Sequence, residues 1–132
     1  MSGALLAPEA PALVLAPSDR APSLARRHLV ERFQELGITD DFVGRLVVTE
    51  LVTNAYIHVG VGHIVLRIFP DVRDDLVVIE VWEQGPDEPA VRGEDDDAEG
   101  GRGLLLIEQL VHDWGVRPLN EEGKVVWARC LR

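Results

Sequence analysis

Apolar and polar positions along this chain follow two periods, and the switches between them mark the elements. From 42 to 59 the apolar residues Val48, Leu51, Val52, Ala55 and Val59 recur every three or four positions, the spacing of a helix with one buried stripe. An earlier run, Leu29, Phe33 and Leu36, has the same spacing, and Gly37 stands where a left-handed C′ residue belongs. Ser23 is the expected N-cap of that first helix. Thr39 is the expected cap of the second, which would place Asp40 and Asp41 in its positive first turn. Strand-like runs occupy the rest. Residues 12–16, between Pro11 and Pro17, read as a short edge strand. Residues 63–69 read as a strand stopped by Pro70, and 76–83 as its hairpin partner across a polar turn. Residues 114–118 and 124–131 form a closing hairpin, and 104–111 a third helix. The order is β-α-α-β-β-loop-α-β-β. Strands bunched in hairpins predict an α+β fold, a two-layer sandwich whose mixed, mostly antiparallel sheet carries three helices on one face.

The central helix is not cleanly amphipathic. Glu50, Asn54 and His58 fall within an arc of about 80° on one border of its apolar stripe and span roughly 12 Å of axis. Asn has poor interior helix propensity, so its place there asks for a reason. One reading is a polar cleft above a hydrophobic floor. The other is an ordinary i, i+4 pair with a helix-end histidine. Arg26, Arg27 and Arg32 share the first helix, as a solvated face or as a partner surface. Residues 84–101 have no apolar period and carry the acidic run Glu94, Asp95, Asp96 and Asp97. A loop that long in a small domain is functional or disordered. It ends in Gly100, Gly101, Arg102 and Gly103 before Leu104. Glycines at a helix mouth expose backbone N–H groups to an anion, and Arg102 adds a charged donor.

Composition narrows the classes. The chain has 132 residues, 46% of them hydrophobic, enough for one domain with one core over 11–132, after a disordered tail at 1–10. Its net charge is −10, from 13 basic and 23 acidic residues. That argues against nucleic acid and against an anionic membrane surface as partners. Cys130, the single cysteine, reads as a strand residue rather than a reactive thiol. No run of 18 apolar residues and no signal-peptide pattern occur, so a cytoplasmic protein is expected.

The helix with Glu50 and Asn54, a strand ending in Glu83-Gln84-Gly85, a long loop and a Gly-rich helix start together resemble the ATP-binding domain shared by gyrase B, sensor histidine kinases and mismatch-repair ATPases. Within that superfamily the chain is most similar to the small anti-sigma-factor serine kinases, from about residue 23 onward. The run from Glu50 to His58 resembles the family's N box, Glu83-Gln84-Gly85-Pro86 its first glycine box, and Gly101-Arg102-Gly103-Leu104 its second. The resemblance implies ATP and Mg²⁺ as cofactors. Asn54 would bind Mg²⁺ through its side-chain oxygen, and Glu50 would orient or deprotonate an attacking serine hydroxyl. Glu83 and Gly85 would serve the base, while Gly101, Arg102, Gly103 and Leu104 would hold the phosphates under a lid formed by 84–101. It also implies an anti-anti-sigma protein and a sigma factor as partners, and a homodimer. Three positions depart from the family's pattern: Glu83 where it has Asp, Asp87 where a second glycine is frequent, and Val125 near a frequent Thr. These departures motivate a second reading, a non-catalytic module of the same fold that sequesters a regulator. A histidine-kinase fragment fits less well, because no long helix pairs with the one that carries His28.

Overall fold

The computed structural model describes residues 10–58, 62–71, 73–84, 107–119 and 123–132. The elements are β1 (Ala12–Leu15), α1 (Ala21–Glu35), α2 (Phe42–His58), β2 (Ile64–Asp71), β3 (Leu76–Glu83), β4 (Asp113–Pro118) and β5 (Lys124–Leu131), with residues 107–110 also helical. The strands form one five-stranded sheet in the order β1-β2-β3-β5-β4, every pairing antiparallel. The anticipated α+β sandwich is therefore present.

Strand parity puts the core on one side. Ile64, Leu66 and Ile68 of β2, Val77, Ile79 and Val81 of β3, and Val126, Ala128 and Cys130 of β5 face the helices. Leu29 and Phe33 of α1, Val47, Val48, Leu51 and Val52 of α2, and Ile107 close over them. The two long helices meet closely at Gly44, where a Cβ would come within 2.9 Å of the Phe33 ring.

Helix ends separate local from tertiary control. Gly37 has φ +74° and its N–H donates to the Gln34 carbonyl, while the Ile38 N–H donates to the Phe33 carbonyl. This is a Schellman motif with Ile38 buried beside Phe33, as the position of Gly37 predicted. The two expected N-caps are corrected. α1 starts at Ala21, with Pro22 in its first turn, so Ser23 lies inside the helix and its hydroxyl donates to the Arg20 carbonyl. α2 starts later than Thr39: the Asp41 carbonyl accepts the first helical bond from Arg45, and Asp40 Oδ1 accepts from the Phe42 N–H at 3.2 Å.

Pro70 does not stop β2, which runs on to Asp71 with Pro70 opposite Val77. β1 covers β2 only from Ile64 to Arg67, so the last residues of β2 form an open edge. The Ile68 carbonyl points to that edge and accepts from Arg32 Nε at 2.8 Å. Pro70 shares its parity, so its missing N–H lies where no ladder bond is required. The three arginines of α1 separate accordingly. Arg32 seals the edge, Arg27 pairs with Glu31 on the solvated side, and Arg26 reaches α2.

The opposite face of the sheet carries charges among aromatic rings. Glu80, 3% exposed, accepts from Trp82 Nε1 at 3.1 Å and lies 3.5 Å from Arg117 and 3.7 Å from Arg67. Trp127 lies against Gly115 on the neighbouring strand, and Trp114 packs against the core on the helix side. At the far end of the sheet Arg129 joins Asp113 at 2.6 Å and 2.8 Å, Asp71 at 2.9 Å and Asp74 at 3.0 Å. The Arg129 bonds hold the Asp113 carboxyl below its ordinary value of 3.8. For Asp71 burial pushes upward, but the bonds from Arg129 and Arg73 outweigh it, and its pKa also lies below 3.8. Carboxylates with depressed folded pKa values contribute stability above the unfolded value and lose it as pH falls through the folded one. Stability against urea is therefore expected to fall as the pH drops below about 4, and Arg129→Met should flatten that slope. Burial pushes the Cys130 thiol up to about 11, consistent with an inert strand residue.

Candidate functional site

α2 lies over β3 and β5 with its buried stripe down. From its C-terminal end the chain returns to Ile64 at the start of β2. Val65 pairs with Trp82 near the end of β3, and Trp82 pairs with Val125 near the start of β5. The C-terminal half of α2, the end of β3 and the start of β5 thus share one end of the sandwich. Gly62, with φ +73°, is packed so closely on Gln84 that a Cβ there would collide with its side chain.

The three polar residues of α2 have different surroundings. His58 is exposed and Glu50 half-buried, whereas Asn54 is 6% exposed. Asn54 Oδ1 is fully enclosed and has no hydrogen-bond partner among the described residues. An unsatisfied buried carbonyl oxygen costs about 1–3 kcal/mol, so its retention points to a partner supplied by a ligand. A hard cation such as Mg²⁺ takes such an oxygen. No group of three or more His, Cys, Asp or Glu among the described residues could hold a metal, so an ion on Asn54 would take other ligands, as a nucleotide's phosphates provide.

One turn earlier, Glu50 lines a cleft of about 300 Å³ together with Arg26, Phe42, Arg45, Leu46 and Thr49. Arg26 Nη1 donates to Thr49 Oγ1 at 3.1 Å, and the Thr49 hydroxyl donates to the Arg45 carbonyl at 2.6 Å. Arg45 pairs with Asp41 at 3.0 Å. Glu50 thus borders an open cleft, whereas Asn54, one turn further on, is buried and is not among the residues that line it.

At the end of β3, Glu83 is 5% exposed and its Oε1 lies 2.9 Å from Lys124 Nζ, a side chain equally buried. The two residues are register partners, and both continue the parity of the core residues. The adjacent Val125 is opposite Trp82 on the other face of the sheet. The residue facing Glu83 is thus Lys124, one place before the Val125 position singled out from sequence. Spacing alone missed Lys124, because a lysine at a turn-to-strand junction reads as solvated. The signal was the shared parity of 124 with 126, 128 and 130.

Gly85, Asp87, Gly101, Arg102, Gly103 and Leu104 lie outside the described residues, as do the proposed lid beyond Gln84 and the tail at 1–9. No helix among the described residues is long and apolar enough to cross a membrane.

No curated protein matches the chain. The family model of the histidine kinase-like ATPase domain matches residues 16–130, from the end of β1 into β5. Its span takes in Glu50, Asn54, Glu83 and the Gly-rich segment alike, and the chain belongs to this ATPase-domain family, a membership that implies ATP binding.

Proposed function

We propose that this protein is an ATP- and Mg²⁺-dependent serine/threonine kinase of the anti-sigma type. It would act in the cytoplasm, as a homodimer, on a serine of an anti-anti-sigma partner, with a sigma factor as its other partner. The observation that carries the reading is the enclosed Oδ1 of Asn54, without a partner among the described residues, one helical turn beyond the half-buried Glu50. Mg²⁺, when bound, would neutralise phosphate charge. Asn54 supplies an oxygen to hold it. Glu50, at the cleft, takes the proton of the serine hydroxyl as that oxygen bonds to the γ-phosphorus and the bond to the β–γ bridging oxygen breaks. Glu83 accepts from the adenine amino group. By resemblance, Gly85 belongs to the base end, and Gly101, Arg102, Gly103 and Leu104 to the phosphate end.

The direct test is transfer of labelled γ-phosphate to a partner co-purified from native cytoplasm. Transfer to serine is expected for the wild type and loss of it in Glu50→Ala. A wild type that captures the partner without phosphorylating it would favour the second reading, a sequestering module without turnover. The observation behind that reading is the engagement of Glu83 by Lys124.

A further inference from the structure

We propose that the cleft beside Glu50 selects the phospho-accepting segment of the partner protein. Arg26 takes an acidic side chain close to the serine, and Phe42 with Leu46 takes an apolar one further along. This deepens the proposed function and rests on its reading of Glu50 as the base that meets the serine hydroxyl.

Arg26 is half-buried on α1, and its guanidinium reaches α2 at Thr49, the residue next to Glu50. Thr49 is itself fixed, since its hydroxyl donates to the Arg45 carbonyl at 2.6 Å. Arg45, the other cation of the cleft, is paired with Asp41 at 3.0 Å. Among the described residues Arg26 has no carboxylate partner, and its one side-chain hydrogen bond is the one to Thr49. A guanidinium presents five N–H donors in a planar fork, so a carboxylate can still be held by two parallel bonds. The net charge of −10 repels acidic segments from the rest of the surface and disfavours a second copy of the chain. A local cation that is already positioned therefore gives specificity as well as attraction.

The apolar wall sets a spacing. Phe42, Leu46 and Glu50 recur every fourth residue along α2 and all line the cleft. Phe42 is 59% exposed and Leu46 36%. Apolar side chains exposed singly are ordinary, but two in a row in a concave site beside a cation form a binding surface. They precede Glu50 by about 12 Å and about 6 Å along the helix axis. A segment lying extended along α2 advances about 3.3 Å per residue, so its apolar residue falls about two to four positions from the serine. Arg26 is bonded beside Glu50, so the acidic residue falls within about two positions of the serine.

Transfer of labelled phosphate from MgATP by the full chain tests this on short synthetic peptides with a single serine. The first carries Asp next to the serine and Leu a few positions away. The others replace that Asp by Asn, that Asp by Lys, or that Leu by Gln. The wild type should phosphorylate the first peptide with a kcat/KM at least about tenfold above the Asn and Gln peptides. Arg26→Glu should reverse the charge preference and favour the Lys peptide over the Asp peptide, which a loss of packing alone does not produce. Equal wild-type values for the Asp and Asn peptides would overturn the role of Arg26, and equal values for the Leu and Gln peptides that of Phe42 and Leu46. A preference left unreversed in Arg26→Glu would overturn the former too, and an altered sedimentation mass in that variant would give the cleft to a second copy of the chain instead. Transfer to the co-purified partner but to none of the peptides would overturn selection by the cleft and leave the proposed function standing. Transfer to neither would overturn both.

Discussion

Replacing Asn54 by leucine is expected to give a protein that melts at a higher temperature and binds MgATP at least about a hundredfold more weakly, a loss of about 2.7 kcal/mol. The two effects share one cause. Asn54 lies within the buried stripe of α2, beside Ala55 and between Leu51 and the helix end, and its Oδ1 is enclosed without a partner among the described residues. Leucine has the same number of side-chain heavy atoms and the same branch point, a better helix propensity and no polar atom to leave unsatisfied. The apo protein should therefore gain about 1–2 kcal/mol. The same substitution removes the side-chain oxygen that the proposed function assigns to the cation. Scanning calorimetry without nucleotide reads the first effect, and titration with MgATP reads the second. An unchanged ATP affinity would remove Asn54 from the site. A lower melting temperature would mean that the amide is satisfied in the apo protein. A residue that weakens the fold and strengthens the ligand is a common signature of a functional position.

Lys124→Met is expected to be the most damaging single substitution at this end of the molecule, at about 3–5 kcal/mol. It leaves the Glu83 carboxylate in a 5% exposed position without its 2.9 Å partner. A domain of this size has a total stability of about 5–15 kcal/mol, so urea unfolding should show a large fall in midpoint. Combining it with Glu83→Gln removes the stranded charge and should return the midpoint to within about 1 kcal/mol of wild type. The cycle of single and double variants isolates the coupling between the two side chains. Additive effects would mean that the charges do not interact in solution.

Legibility in the sequence followed the range of the interaction. The apolar spacing from Val48 to Ala55 marked the buried stripe of α2, because helix geometry alone decides which residues share a face. Gly37 marked the end of α1, because a left-handed C′ residue is a local backbone requirement. Ser23 and Thr39 misled for the complementary reason. Several residues near a helix start can cap it, and the choice depends on where the chain enters the fold: α1 begins beside Pro22, and α2 takes Asp40 as its side-chain acceptor. Pro70 misled because its effect depends on what lies beside it, and β1 ends before reaching it.

At the candidate site, residue types were readable and environments were not. The sequence by itself determined that Glu50 and Asn54 share one side of a helix and that the strands alternate with a period of two. Only the tertiary structure decided that Asn54 is enclosed without a partner among the described residues while Glu50 lines a cleft. It alone decided that Lys124, not Val125, meets Glu83. The physical reason is that burial and cross-strand register are set by segments distant in sequence. A one-residue change in register sends a side chain to the other face of the sheet, and no local pattern around Lys124 encodes which strand lies opposite.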